Sequence, residues 1–135
     1  MNISLKNVKK LYRIAKKYKV VLPVSEFAYM GNMIEFIAKY ETDGDYCGNA
    51  TDFVLCDERS TKFNIECGLC GYYAHTTNEL LEWLPTGTKI YKELRGKNII
   101  NYIAEYEKTQ EWHRSSFADA LCLLAMKLIE AGVIK

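Results

Sequence analysis

Hydrophobic and polar positions along this 135-residue chain change rhythm several times. Near the N-terminus, Leu5, Val8, Leu11, Tyr12, Ala15 and Tyr18 recur at steps of three and four. That spacing gathers them on one face of a helix. Near the C-terminus, Phe117, Leu121, Leu124, Ala125, Leu128 and Ile129 do the same, after a Ser116-Phe117-Ala118-Asp119 start and before Gly132. A short third helix is expected where Thr76-Thr77-Asn78-Glu79 has capping-box spacing. It runs through Leu80, Leu81 and Trp83 and stops at Pro85. From Thr88 to Leu94 and from Ile99 to Glu107 the pattern is that of strands, joined at Arg95-Gly96-Lys97-Asn98. This reads as a β-hairpin.

Residues 26 to 40 taken alone could form a helix, and an internal similarity decides against it. Asn32 to Glu41 can be laid on Asn98 to Glu107, with Asn, Ile, Ile, Ala, Tyr and Glu identical in the ten positions. Leu55-Cys56 and Leu121-Cys122 keep the same offset, and Leu22-Pro23 and Leu84-Pro85 each precede the repeated segment. The first copy is therefore also read as a hairpin, with Gly31-Asn32 as its tight turn. Ile34, Phe36, Ala38 and Tyr40 would line one face, as Ile100, Tyr102, Ala104 and Tyr106 do. A short helix is expected from about Asn49 to Glu58, and another strand between Lys62 and Tyr73. The fold class is α+β: an antiparallel sheet built from two hairpins with flanking helices. The chain reads as one domain, 1–135, with pseudo-repeat units of about 1–60 and 72–135 and the pattern of an internal duplication.

Composition narrows this picture only modestly. Apolar residues make up 49% of the chain, which excludes an intrinsically disordered protein. No apolar run is long enough to cross a membrane, so no membrane partner is expected. The N-terminus lacks a signal peptide's apolar core, and the five cysteines are an odd count. Both point to free thiols in a reducing compartment, the cytoplasm.

Charge changes the picture more. The formal net charge is +1, but it is unevenly spread. Between Met1 and Leu22, Lys6, Lys9, Lys10, Arg13, Lys16, Lys17 and Lys19 meet no acid, while the rest of the chain carries all 17 acids. The N-terminal helix thus has an apolar face and a basic one. Lys6, Lys9, Lys10, Arg13, Lys16 and Lys17 are candidate partner-binding residues, for an acidic protein surface or for nucleic acid. The alternative is a solvated face that balances the chain's own acidic remainder.

Chemical signatures are sparse. Cys67-Gly68-Leu69-Cys70 has the spacing with which two thiolates hold one metal, and Cys47, Cys56 and His75 are candidates to complete a zinc site. The spacing also suits a turn that holds two small apolar thiols. Of these, Cys67, Cys70, Cys47 and His75 form the metal-ligating set to test. Asp43-Gly44-Asp45-Tyr46-Cys47-Gly48 begins like a calcium loop, but Cys47 and Val54 stand where oxygen ligands are required. There is no phosphate loop or dinucleotide fingerprint, and no catalytic residue is assigned. No cofactor is expected apart from zinc at the cysteines.

From Tyr72 to Lys135 the chain resembles small uncharacterised α+β sandwich proteins encoded by phages and prophages of gut bacteria. The resemblance rests on Tyr72-Tyr73, the Thr-rich cap at Thr76, the Leu/Trp helix, the hairpin, and the helix with Ala118-Asp119-Ala120-Leu121 that ends Glu130-Ala131-Gly132-Val133-Ile134-Lys135. It implies a helix–sheet–helix sandwich and a mobile-element origin in a bacterial cytoplasm, with no functional residues to carry over. The expected function is non-enzymatic: an accessory protein that binds a host or phage protein, such as an inhibitor of a host defence protein. Nucleic-acid binding by the basic helix and a zinc-binding module are the alternatives. Exposed aromatics among the ten Tyr and two Trp would serve a protein interface, and a hairpin edge could pair two chains.

Overall fold

The computed structural model describes residues 1–30, 32–36, 54–55 and 70–135, and they form an α+β protein. The chain divides into two compact units, one of Met1–Pro23 with Thr76–Lys135 and one of Val24–His75.

The first unit is built around its last helix. Strands β5 (Lys89–Leu94), β6 (Ile100–Tyr106) and β7 (Thr109–His113) form an antiparallel sheet in the order β5-β6-β7. Helix α3 (Phe117–Glu130) packs on β6 and β7, and α1 (Leu5–Tyr18) and α2 (Thr77–Trp83) pack on α3. A helix covered on several sides must be apolar around most of its circumference. Ala118, Ala120, Leu121, Cys122, Leu124, Ala125, Met126, Leu128 and Ile129 are accordingly buried, a wider band than the single stripe its periodicity predicts. The expected caps are present. Ser116 accepts a hydrogen bond from the Asp119 N–H, and Thr76 and Glu79 form a reciprocal capping box. Past α3, Gly132 at φ +76° lets the chain turn back so that Val133 and Ile134 donate to the Leu128 carbonyl.

The predicted hairpin of β5 and β6 is present, with Leu94 opposite Ile100 and a turn in which Gly96 and Asn98 take positive φ. Its faces differ from simple alternation. Ile103 and Ala104 are both buried, so the centre of β6 is covered on both sides, while Ile100 near the turn is exposed.

In the second unit β1 (Phe27–Met30) and β2 (Met33–Phe36) form the other expected hairpin, linked by two residues. β1 also pairs antiparallel with β4 (Cys70–Tyr73), and β3 (Val54–Leu55) runs parallel to β4. The two hairpins therefore belong to separate sheets. Asn32–Phe36 and Asn98–Tyr102, the described part of the internal similarity, both lead into the second strand of a hairpin. The helix expected from Asn49 to Glu58 is corrected at Val54 and Leu55, which are strand; its other residues lie outside the described ones. β-branched Val54 suits the extended backbone that pairing with β4 provides. The strand expected between Lys62 and Tyr73 is described only at β4.

Candidate functional site

Helix α1 is held by its N-terminus. Ser4 caps it, accepting from the Asn7 N–H at 3.3 Å. The first turn contains no acid, and the negative charge that a helix N-terminus favours comes from another element. Asp119, in the first turn of α3, accepts from the Ser4 N–H at 2.9 Å and from the Asn7 amide at 2.8 Å with Oδ1. Its Oδ2 accepts from the Ser116 hydroxyl at 3.1 Å. One carboxylate therefore serves the N-termini of two helices. Only 3% of Asp119 is exposed, and burial pushes its pKa up. The hydrogen bonds from Ser4, Asn7 and Ser116 outweigh that and hold it below the ordinary aspartate value. One turn further along, the Cys122 thiol donates to the Asn7 carbonyl at 3.5 Å. Burial, with Asp119 nearby, raises its pKa far above the ordinary thiol range, so it is a packing group rather than a nucleophile.

These contacts fix which face of α1 turns inward. Val8 and Leu11 are fully buried and Ala15 nearly so. Burying Val8 and Leu11 contributes about 2 kcal/mol each. Lys6, Lys9, Lys10, Arg13, Lys16 and Lys17, the six residues proposed from the sequence, are all exposed and share the opposite side. Among the described residues, no carboxylate lies within ion-pair distance of Lys6, Lys10, Arg13, Lys16 or Lys17. Lys17 stands over the ring of Tyr18 at 5.5 Å.

Beside this face runs an open groove of about 400 Å³. Lys10, Arg13 and Ile14 line it from α1, Leu123, Met126, Lys127 and Glu130 from α3, and Glu111 from β7. Ile14, Leu123 and Met126 contribute the apolar side chains and the other five are charged. The Lys127 ammonium bonds Glu111 at 2.7 Å, which raises the lysine's pKa. The groove is therefore a mixed surface, able to take an apolar side chain between charges of both signs.

The metal candidates are only partly described. Cys47 and Cys67 lie outside the described residues, and Cys70 begins β4. His75 is fully buried, its ring 5.6 Å from that of Tyr73. Among the described residues, no group of three or more His, Cys, Asp or Glu side chains is placed to hold a metal. His113 ends β7, accepts from the Ser115 N–H at 3.0 Å, and lies 3.9 Å from Asp119. No helix among the described residues is long and apolar enough to cross a membrane.

No known protein family, curated protein or solved structure matches this chain. Its functional reading therefore rests on its own residues. Sequence reasoning found the basic face but missed the groove and the Asp119 clasp. Asn7 interrupts the basic run on the inward side of α1, and Asp119 sits at a capping position, so each had a local explanation that concealed the long-range one.

Proposed function

We propose that this protein acts by binding, docking the basic face of α1 and the adjoining groove against an acidic surface of a partner protein. The observation that carries this reading is the unbroken exposed row of six basic side chains without acids of its own helix among them. Helix stability does not account for the row. Lys16 and Lys17 suit the C-terminal end of α1, but Lys6 stands in its first turn, where a cation opposes the helix dipole. Protein is favoured over nucleic acid by the groove. Glu111 and Glu130 line the same groove as Lys10 and Arg13 and would repel phosphates, whereas the apolar side chains of Ile14, Leu123 and Met126 suit a protein side chain. The mobile-element setting implied by the sequence resemblance makes a bacterial host protein the expected partner, with a defence protein to be inhibited as the leading class. Zinc at Cys67, Cys70, Cys47 and His75 would be a separate structural property.

The test is affinity capture from a bacterial host lysate, with and without nuclease. The native chain is compared with a Lys6→Glu, Arg13→Glu, Lys17→Glu variant and with Leu123→Lys, a half-buried groove position. A nuclease-resistant protein captured by the native chain, lost with either variant and released as salt is raised, is the expected result. Capture abolished by nuclease would transfer the same face to nucleic acid. Capture that survives both variants would end this proposal.

A further inference from the structure

The three-stranded sheet of the first unit has β5 at one end of its order. β5 is an outer strand, and among the described residues its one strand neighbour is β6. The Arg95 N–H donates to the Ile99 carbonyl at 2.8 Å, in the same register that sets Leu94 opposite Ile100. Hydrogen-bonded and non-bonded pairs alternate along an antiparallel ladder. Glu93, Tyr91 and Lys89 therefore turn their backbone groups towards β6, and Leu94, Lys92 and Ile90 present theirs at the open edge. An exposed edge of six residues is a template for another strand.

We propose that this edge pairs with β5 of a second copy of the chain, antiparallel about a twofold axis at Tyr91. Open-edge residues must face one another, which leaves few registers. An axis at Lys92 would set Lys92 against itself and Lys89 against Arg95, both repulsive. An axis at Ile90 would give no ion pair and a shorter ladder. With the axis at Tyr91, Lys89 of each chain faces Glu93 of the other, Ile90 faces Lys92, and no like charges are opposed. Opposite charges directly across a ladder stabilise it, and like charges destabilise it. The edge is thus complementary to itself, which favours a second copy over an unrelated strand.

The side chains above this edge agree with the register. Tyr91, Ile103 and Trp112 form a cross-strand row, with Tyr91 39% exposed, Ile103 2% and Trp112 48%. Two Tyr91 residues would meet at a non-hydrogen-bonded position of a six-stranded sheet, each hydroxyl accepting from Gln110 in β7 of its own chain. The only ion pair that Glu93 makes among the described residues is an exposed one with Arg95 at 3.3 Å, which leaves it available to exchange partners.

The experiment is sedimentation equilibrium of the full chain over a concentration series, with circular dichroism to confirm that each variant folds. The native protein should reach twice the chain mass of 15.6 kDa. Glu93→Lys and Lys89→Glu should each weaken dimerisation by about tenfold, and the double exchange should restore it to within about threefold. A monomer throughout the series overturns the proposal. So does a dimer indifferent to both reversals, and loss that the double exchange does not rescue overturns the register.

Discussion

Asp119 links the start of α1 to the start of α3 through a single carboxylate. Its carboxylate, with 3% of the residue exposed, accepts from Ser4, Asn7 and Ser116 at the N-termini of two helices. Asp119→Ala would leave buried donors unpaired and should cost about 3 kcal/mol in urea denaturation. The pH dependence follows from the direction of its shift. A carboxyl whose folded pKa is depressed stabilises the fold fully above its unfolded pKa, near 3.9, and loses that stabilisation as pH falls through the lower folded value. The native chain should therefore lose more stability between pH 6 and pH 2 than Asp119→Asn does. Equal losses in the two proteins would show that the carboxylate does not carry the clasp.

At the scale of the element, α1 combines a strong packing face with an imperfect end. Lys19 closes it in the left-handed region, at φ 57°, donating to the carbonyls of Ala15 and Lys16. A Cβ is unfavourable there and glycine is not. Lys19→Gly should raise stability by about 1 kcal/mol, read as a higher Tm, without touching the six residues of the proposed interface. The same element carries the binding proposal, and the two roles separate cleanly by face. Val8, Leu11 and Ala15 are buried on the face turned to α3, while the basic row is exposed on the opposite side. Charge reversal on the row should alter binding with little change in Tm.

At the scale of the molecule, the first unit is discontinuous: its N-terminal helix and its C-terminal helix are packed together, with residues 24 to 75 forming the other unit. The sequence grouping into repeats of about 1–60 and 72–135 follows internal similarity, whereas the packing joins α1 to α3. A chain lacking residues 1–19 would expose the surface of α3 that Val8 and Leu11 cover and would leave Asp119 without Ser4 and Asn7. It should lose its cooperative thermal transition and bind a hydrophobic dye. A sharp transition near the native Tm would show that α1 is dispensable for folding.

Much of the fold is local, and that part was legible in the sequence. The amphipathic period of α1, the Thr76 capping box, the turn with Gly96 and Asn98, and the Ser116 start of α3 are set by neighbours within a few residues. So is the basic row, because helical spacing alone brings those lysines together. The clasp at Asp119 joins residues more than a hundred positions apart, and the groove joins α1, α3 and β7. Val54 and Leu55 read as helix locally and became strand because β4 supplies their partner. The sequence by itself determined α1, α2, α3, the hairpin of β5 and β6 and the charged face, since short-range sterics and periodicity decide them, and the first hairpin only through its likeness to the second. Only the tertiary structure decided which surfaces meet, because burial and long-range hydrogen bonding depend on partners that no local pattern names.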